Sequence, residues 1–175
     1  MPTPDRRAIS LPARRGGSRT LPGRAVDEVS PLDKRIIEHL QADGRRPFTQ
    51  IAADLGVSEA AVRARTNRLI ERGILQVVGV TDPLKLGFHQ MAMIGIRCES
   101  AKLIEVAERL AKMPEVDYVV ITAGSYDLLI ETVCEDNDAL LAFLAERLRT
   151  IEGVRDTETF VYLRLVKQTY QYGTR

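Results

Sequence analysis

The chain has 175 residues, 45% hydrophobic and 28% charged, with a formal net charge of +1, a profile expected of a soluble globular protein of one or two domains. Its apolar runs are too short to cross a bilayer, and the N-terminal arginines are followed by no apolar segment of the secretory kind, so a cytoplasmic protein is expected. Charge is unevenly placed: residues 1–29 carry +3, residues 30–82 carry +1 and residues 83–175 carry −3. A polyanionic partner is therefore expected to meet only the first half.

Residues 1–29, with "LPARRGGSRTLPGRA", show no helical or strand period and are expected to form a disordered Arg/Pro/Gly-rich arm. Order begins at "SPLDKRIIEHL", where Ser30 suits an N-cap, Pro31 the first helical position and Asp33 the positive end of the helix dipole. Leu32, Ile36, Ile37 and Leu40 fall on one face, and the helix should stop near Gly44. A short second helix is expected in "TQIAADLG", capped by Thr49 and ended by Gly56. A third follows Ser58 and runs to Gly73. Tight turns between three helices make a helix-turn-helix unit. The stretch "ILQVVGVTD" is expected to add a small two-stranded wing, which completes a winged DNA-binding domain over residues 30–82. Residues 83–88, "PLKLGF", read as a linker.

Residues 89–175 change rhythm. A strand in "QMAMIGIRC" is followed by a helix from Ser100 to Met113, strands "VDYVVIT" and "DLLIETVC", a helix over residues 137–150 and a last strand in "VRDTETFVYLRLV". That order is the split βαββαβ, ferredoxin-like arrangement, and the fold class is α+β. In "MAMIGI", "YVVI" and "LLI" residues of both parities are apolar, whereas a sheet covered on one side alternates more cleanly. Both faces are thus expected to be buried, the second against another copy of the chain in a two-fold dimer. Cys98 and Cys134 lie in strands without metal-ligand spacing and are expected as buried thiols.

On the third helix Val62, Thr66 and Leu69 form the inward face, and Ala60, Arg63, Ala64 and Asn67 the outward one. Arg and Asn make bidentate contacts with guanine and adenine edges in the major groove. Arg65 and Arg68 flank this face where phosphates would lie, and Arg45 and Arg46 suit backbone contacts from the preceding loop. Thr49 and Ser58, at helix N-termini, can donate to phosphates. The plainer reading of these arginines is a solvated face paired with Glu59 and Glu71; for the whole arrangement double-stranded DNA is the expected partner.

The segment "LDKRIIEHLQADGRRPFTQIAADLGVSEAAVRARTNRLIERGIL" resembles the N-terminal half of the leucine-responsive/asparagine-type (Lrp/AsnC, feast/famine) transcriptional regulators. The resemblance rests on Leu32-Asp33, Asp43-Gly44-Arg45, Ser58, Arg65, Leu69 and Gly73, and on "TAGSYD", which is similar to the family's Thr-Gly-x-Tyr/Phe-Asp turn with Ala123 added. It covers roughly residues 31–170. Thr66 departs from the Ile or Val usual there, and the arm is longer than is typical.

The resemblance implies a homodimer that reads a palindromic operator, assembles into tetramers or octamers, and responds to an amino acid or related metabolite bound between sensing domains. It places the effector turn on Gly124, Ser125, Tyr126 and Asp127, facing Thr159, Phe160 and Val161 of the last strand. Asp127 can pair an ammonium group, and backbone N–H groups near Gly124 can receive a carboxylate; turn capping or a dimer hydrogen bond is the structural alternative for Asp127. No resident cofactor or metal is expected. An enzyme similar to the sirohaem decarboxylases is the competing class, and it would need basic groups lining a pocket. The two histidines, His39 and His89, come with no partner constellation. A sensing module without DNA binding or effector response is the remaining alternative.

Overall fold

The computed structural model describes residues 29–169 and Thr174. The expected N-terminal arm therefore lies outside the described residues, apart from Val29. The chain divides into a first unit that ends at Gln76 and a second that begins at Val77.

The first unit contains α1 (Pro31–Ala42), α2 (Phe48–Leu55) and α3 (Glu59–Glu71). Ser30 caps α1 by accepting the Asp33 N–H, and Ser58 caps α3 by accepting the Ala61 N–H. Thr49 is not the cap of α2. Pro47 occupies that position and its carbonyl takes the N–H groups of Gln50 and Ile51, so Thr49 lies inside the first turn. With φ already near −59°, Pro47 enters the helix without a side-chain cap. Gly56 ends α2 at φ +67°, a conformation that only glycine adopts without penalty, and turns the chain into α3. Ile36, Ile37, Leu40, Ile51, Ala52, Val62, Leu69 and Leu75 form the core between the helices, with Phe48, Leu55 and Val57 packed at its edge.

The wing is a correction. Residues 74–82 contain no strand among the described residues, and Val77, Val78 and Val80 are exposed. An extended segment becomes a strand only beside a partner that takes its backbone bonds, and within the described chain nothing pairs with this one. Residues 83–88 are more than a plain linker: Pro83–Leu86 form a 3-10 turn that Asp82 caps.

The second unit is a four-stranded antiparallel sheet in the order β2-β3-β1-β4, built from β1 (Gln90–Cys98), β2 (Val116–Ile121), β3 (Leu128–Cys134) and β4 (Val154–Val161). After a 3-10 turn at Ser100–Lys102, α4 (Leu103–Leu110) connects β1 to β2. It ends three residues short of Met113, because residues 111–113 close in turns. Asp136 caps α5 (Asn137–Ala142), which continues as a π-helical stretch over Phe143–Leu148. The last strand is shorter than its apolar run: Val161 pairs with Ala92, and just past it β1 itself ends. The core between helices and sheet holds Ala92, Ile94, Ile96, Val106, Leu110, Leu128, Ile130, Phe143, Leu148 and Ile151. Cys98 and Cys134 are buried thiols.

The other face of the sheet bears no helix among the described residues of this unit. Cross-strand register places Tyr118 beside Glu131, Met93 beside Phe160, Gly95 beside Glu158 and Arg97 beside Asp156 on that face. Tyr118 and Phe160 are about half exposed there.

Candidate nucleic-acid interface and sensing turn

The outward face of α3 presents a shallow concavity lined by Glu59, Ala60, Arg63, Ala64 and Asn67. The expected base-reading residues Ala60, Arg63, Ala64 and Asn67 stand together beside Glu59, and the two alanines leave space between the longer side chains. Arg63 pairs with Glu59 at 2.5 Å and lies over the ring of Phe48. Thr49 and Arg45 are exposed. Arg46 is bonded to Asp54 at 2.5 Å, which fixes it to α2.

Arg65 departs most from its sequence reading. It does not stand at the flank as a free phosphate contact: its Nη1 donates to Asp33 Oδ1 at 2.9 Å and to Ser30 Oγ at 3.3 Å. Asp33 is 3% exposed. Its Oδ2 also accepts the Ser30 hydroxyl at 2.8 Å, and Arg68 approaches to 3.9 Å. Burial alone would raise the Asp33 pKa. The hydrogen bonds from Arg65 and Ser30, with the charges of Arg65 and Arg68, outweigh it and hold the carboxyl below its ordinary value. The pair joins the first turn of α1 to the middle of α3. Arg68 remains half exposed and available to solvent.

Thr66, on the inward side of α3, is 2% exposed, and its hydroxyl has no hydrogen-bond partner. An unmade buried hydrogen bond costs about 1–3 kcal/mol. Thr66→Val keeps the volume and removes the polar atom, so it is expected to raise stability by about 1 kcal/mol. The urea midpoint of the first unit's transition measures this; an unchanged or lower midpoint counts against it.

The turn between β2 and β3 is tied down at several points. The Asp127 N–H donates to Ile96 O at 2.9 Å, the Thr122 N–H to Asp127 O at 2.9 Å, and Thr122 Oγ1 to Tyr126 O at 2.5 Å. Asp127 Oδ2 accepts the Cys98 N–H at 2.8 Å, just beyond the last β1–β3 pair, Ile96–Leu128. The Asp127 side chain thus satisfies a backbone donor that lies past the end of that ladder. The side chain thereby ties its turn to β1.

Tyr126 folds from this turn onto the helix-free face of the sheet. Its ring covers Gly95 so closely that an added Cβ would sit 2.6 Å from Tyr126 Cγ. It meets Phe160 edge to face with centroids 6.3 Å apart, its hydroxyl bonds Glu158, and the Arg97 guanidinium lies 5.2 Å from its centroid. Arg97 also donates to Ser125 O at 3.0 Å and pairs with Asp156 at 2.8 Å. Of the strand residues expected to face the turn, Phe160 does so. Thr159 and Val161 pair with Ile94 and Ala92 and share their helix-covered face, so they lie on the other side of the sheet. Gly124 and Ser125 are exposed at the turn's tip. Sequence reasoning missed Gly95, Arg97, Asp156 and Glu158. A lone glycine inside a strand, which marks close approach of another group, was the available signal.

Two family models match these units: the AsnC-type helix-turn-helix domain over residues 30–70, and the Lrp/AsnC ligand binding domain over residues 91–172. An uncharacterised HTH-type transcriptional regulator of Pyrococcus horikoshii is 34% identical over 152 residues, which cover 86% of this chain and 96% of that protein. The chain belongs to the Lrp/AsnC family of transcriptional regulators. It is thus a transcriptional regulator with a helix-turn-helix domain and a ligand-binding domain.

The Lrp/AsnC fold extends through the solved structures. AsnC of E. coli matches with a TM-score of 0.73 at 27% identity, over 81% of this chain and 97% of that one. A Neisseria meningitidis regulator in complex with L-Met matches with a TM-score of 0.73 at 24% identity, over 82% of this chain and 95% of that one, a likeness of fold. Among the described residues of this Lrp/AsnC chain, no helix is long and apolar enough to cross a membrane.

Proposed function

We propose that this regulator is a cytoplasmic homodimer that reads a palindromic operator through α3 and tunes its assembly or DNA affinity with an amino acid or a related metabolite. The outward face of α3 carries the reading: Arg63 and Asn67 stand one turn apart beside two alanines, with the acidic partners of the flanking arginines turned elsewhere. Arg63 and Asn67 contact base edges. Arg45, Arg46, Arg68, Thr49 and Ser58 serve the phosphates. Arg65 acts mainly by holding α3 against α1. The half-exposed aromatic face of the sheet suits a second copy of the chain, from which tetramers or octamers follow.

Filter binding over a salt titration tests the DNA reading. Arg63→Ala is expected to relax base preference by about 1–3 kcal/mol with little change in salt slope. Arg68→Ala is expected to weaken binding to all sequences and reduce the slope by about one unit. A base preference that survives Arg63→Ala overturns the assignment of that face.

For the effector, Tyr126 and Phe160 offer an apolar wall, Arg97 a cation for a carboxylate, and Glu158 and Asp156 anions for an ammonium group. Asp127 and Gly124 shape the turn that carries Tyr126, and Ser125 contributes its carbonyl to Arg97. A thermal-shift screen of amino acids and 2-oxo acids, beginning with L-methionine, is expected to find a compound whose shift is lost in Tyr126→Ala. If no compound shifts the melting temperature, the sensing role of this turn fails while the DNA assignment stands.

A further inference from the structure

Arg63 is held from two sides. Phe48 packs against the core of the first unit, and the Arg63 guanidinium lies over its ring, with Cζ 5.3 Å from the centroid. Glu59, one turn earlier on α3, accepts from Arg63 Nη2 at 2.5 Å. The Arg63 side chain is 59% exposed and that of Glu59 42%. Contacts so open to water contribute little to folding. They do restrict rotation: a long arginine side chain otherwise samples many rotamers, whereas a guanine edge requires its planar fork at one angle. A reading group fixed before binding gives up less conformational freedom on contact.

We propose that Phe48 and Glu59 are positioning residues for base readout, which present the fork of Arg63 to a guanine across the gap left by Ala60 and Ala64. The inference rests on the reading of α3 as the groove-facing helix. It adds that part of the specificity resides in α2, in a residue that touches no base. Phe48 supplies a flat surface that fixes the plane of the guanidinium, and Glu59 fixes its rotation within that plane. Neither contact changes the number of phosphates met, so the salt slope is independent of both.

Selection of the full chain on a randomised DNA duplex pool, read by sequencing, tests this. Arg63→Ala is expected to lose guanine preference at one position in each half-site. Phe48→Leu is expected to lower the same preference about threefold with an unchanged salt slope, while Phe48→Tyr retains it. Glu59→Ala is expected to act in the same direction as Phe48→Leu. In the Arg63→Ala background, Phe48→Leu is expected to change nothing further, which separates positioning from a loss of core packing. The inference is overturned if Arg63→Ala loses the preference but Phe48→Leu keeps it whole. It is equally overturned if Phe48→Leu has the same effect with and without Arg63. A preference untouched by Arg63→Ala removes the reading of α3 itself.

Discussion

Arg65→Ala is expected to destabilise the first unit by about 3 kcal/mol, the low end of what breaking a buried ion pair costs. The reason is Asp33, 3% exposed, which would keep its charge with only Ser30 and the more distant Arg68 to balance it. Arg65 is itself about one-third exposed, and that places the effect at the low end. A chemical melt of the variant gives the loss directly. Removing both partners in Asp33→Asn with Arg65→Met is expected to recover part of it, since no charge then remains buried. The pair also has a pH signature. Because the folded-state pKa of Asp33 is lowered, its stabilisation is fully present above the ordinary aspartate value of about 3.9 and is lost as pH falls through the folded value. The wild-type midpoint should therefore fall below about pH 4, and that of Arg65→Ala should fall less over the same range. An Arg65→Ala protein that melts like wild type but has a reduced salt slope would return Arg65 to the phosphate role.

Gly95→Ala is expected to destabilise the second unit by about 1–3 kcal/mol, as overpacking does. The new methyl group would overlap the Tyr126 ring at three carbons, 2.6–2.8 Å away. The backbone at Gly95 has no positive φ, so the clash with the ring is the whole of the penalty. The ring would have to lift, breaking its contacts with Phe160, Arg97 and Glu158, while the turn stays anchored through Asp127 and Thr122. The same substitution in a Tyr126→Ala background should reverse sign. With the ring gone, alanine is favoured over glycine in a strand by about 0.5–1 kcal/mol. A double-mutant cycle by chemical denaturation measures the coupling. Additive effects would mean that the ring does not rest on Gly95 in solution.

Both cases mark where sequence reasoning reached its limit. An arginine on a helix that faces DNA looks the same in sequence whether or not a carboxylate 32 positions earlier meets it, and Arg65 meets Asp33. The recurrence of Leu32-Asp33 and Arg65 in one family pattern was a hint that they act together, but a pattern does not state a contact. For Thr159, Phe160 and Val161 the missing step was simple alternation: neighbours in a strand point to opposite faces, so one effector could not face all three side chains. The residue type of Thr49 suits a cap, but the proline two positions earlier begins the helix.

What the sequence determined by itself is local and periodic. The apolar stripe of α1, the serine caps at Ser30 and Ser58, the left-handed turn at Gly56 and the βαββαβ order follow from backbone preferences and side-chain periods that neighbouring residues impose. What only the tertiary structure decided is which side chains meet across long separations. Asp33 draws Arg65 away from the flank of α3, Gly95 makes a seat for Tyr126, and Asp127 takes the Cys98 N–H past the end of the β1–β3 ladder. The apolar run of residues 74–82 failed as a wing for the same reason, since strand character requires a partner that local sequence does not supply. Pairing energies depend on distance in the folded chain, and the linear order of residues carries no record of that distance until the core has brought them together.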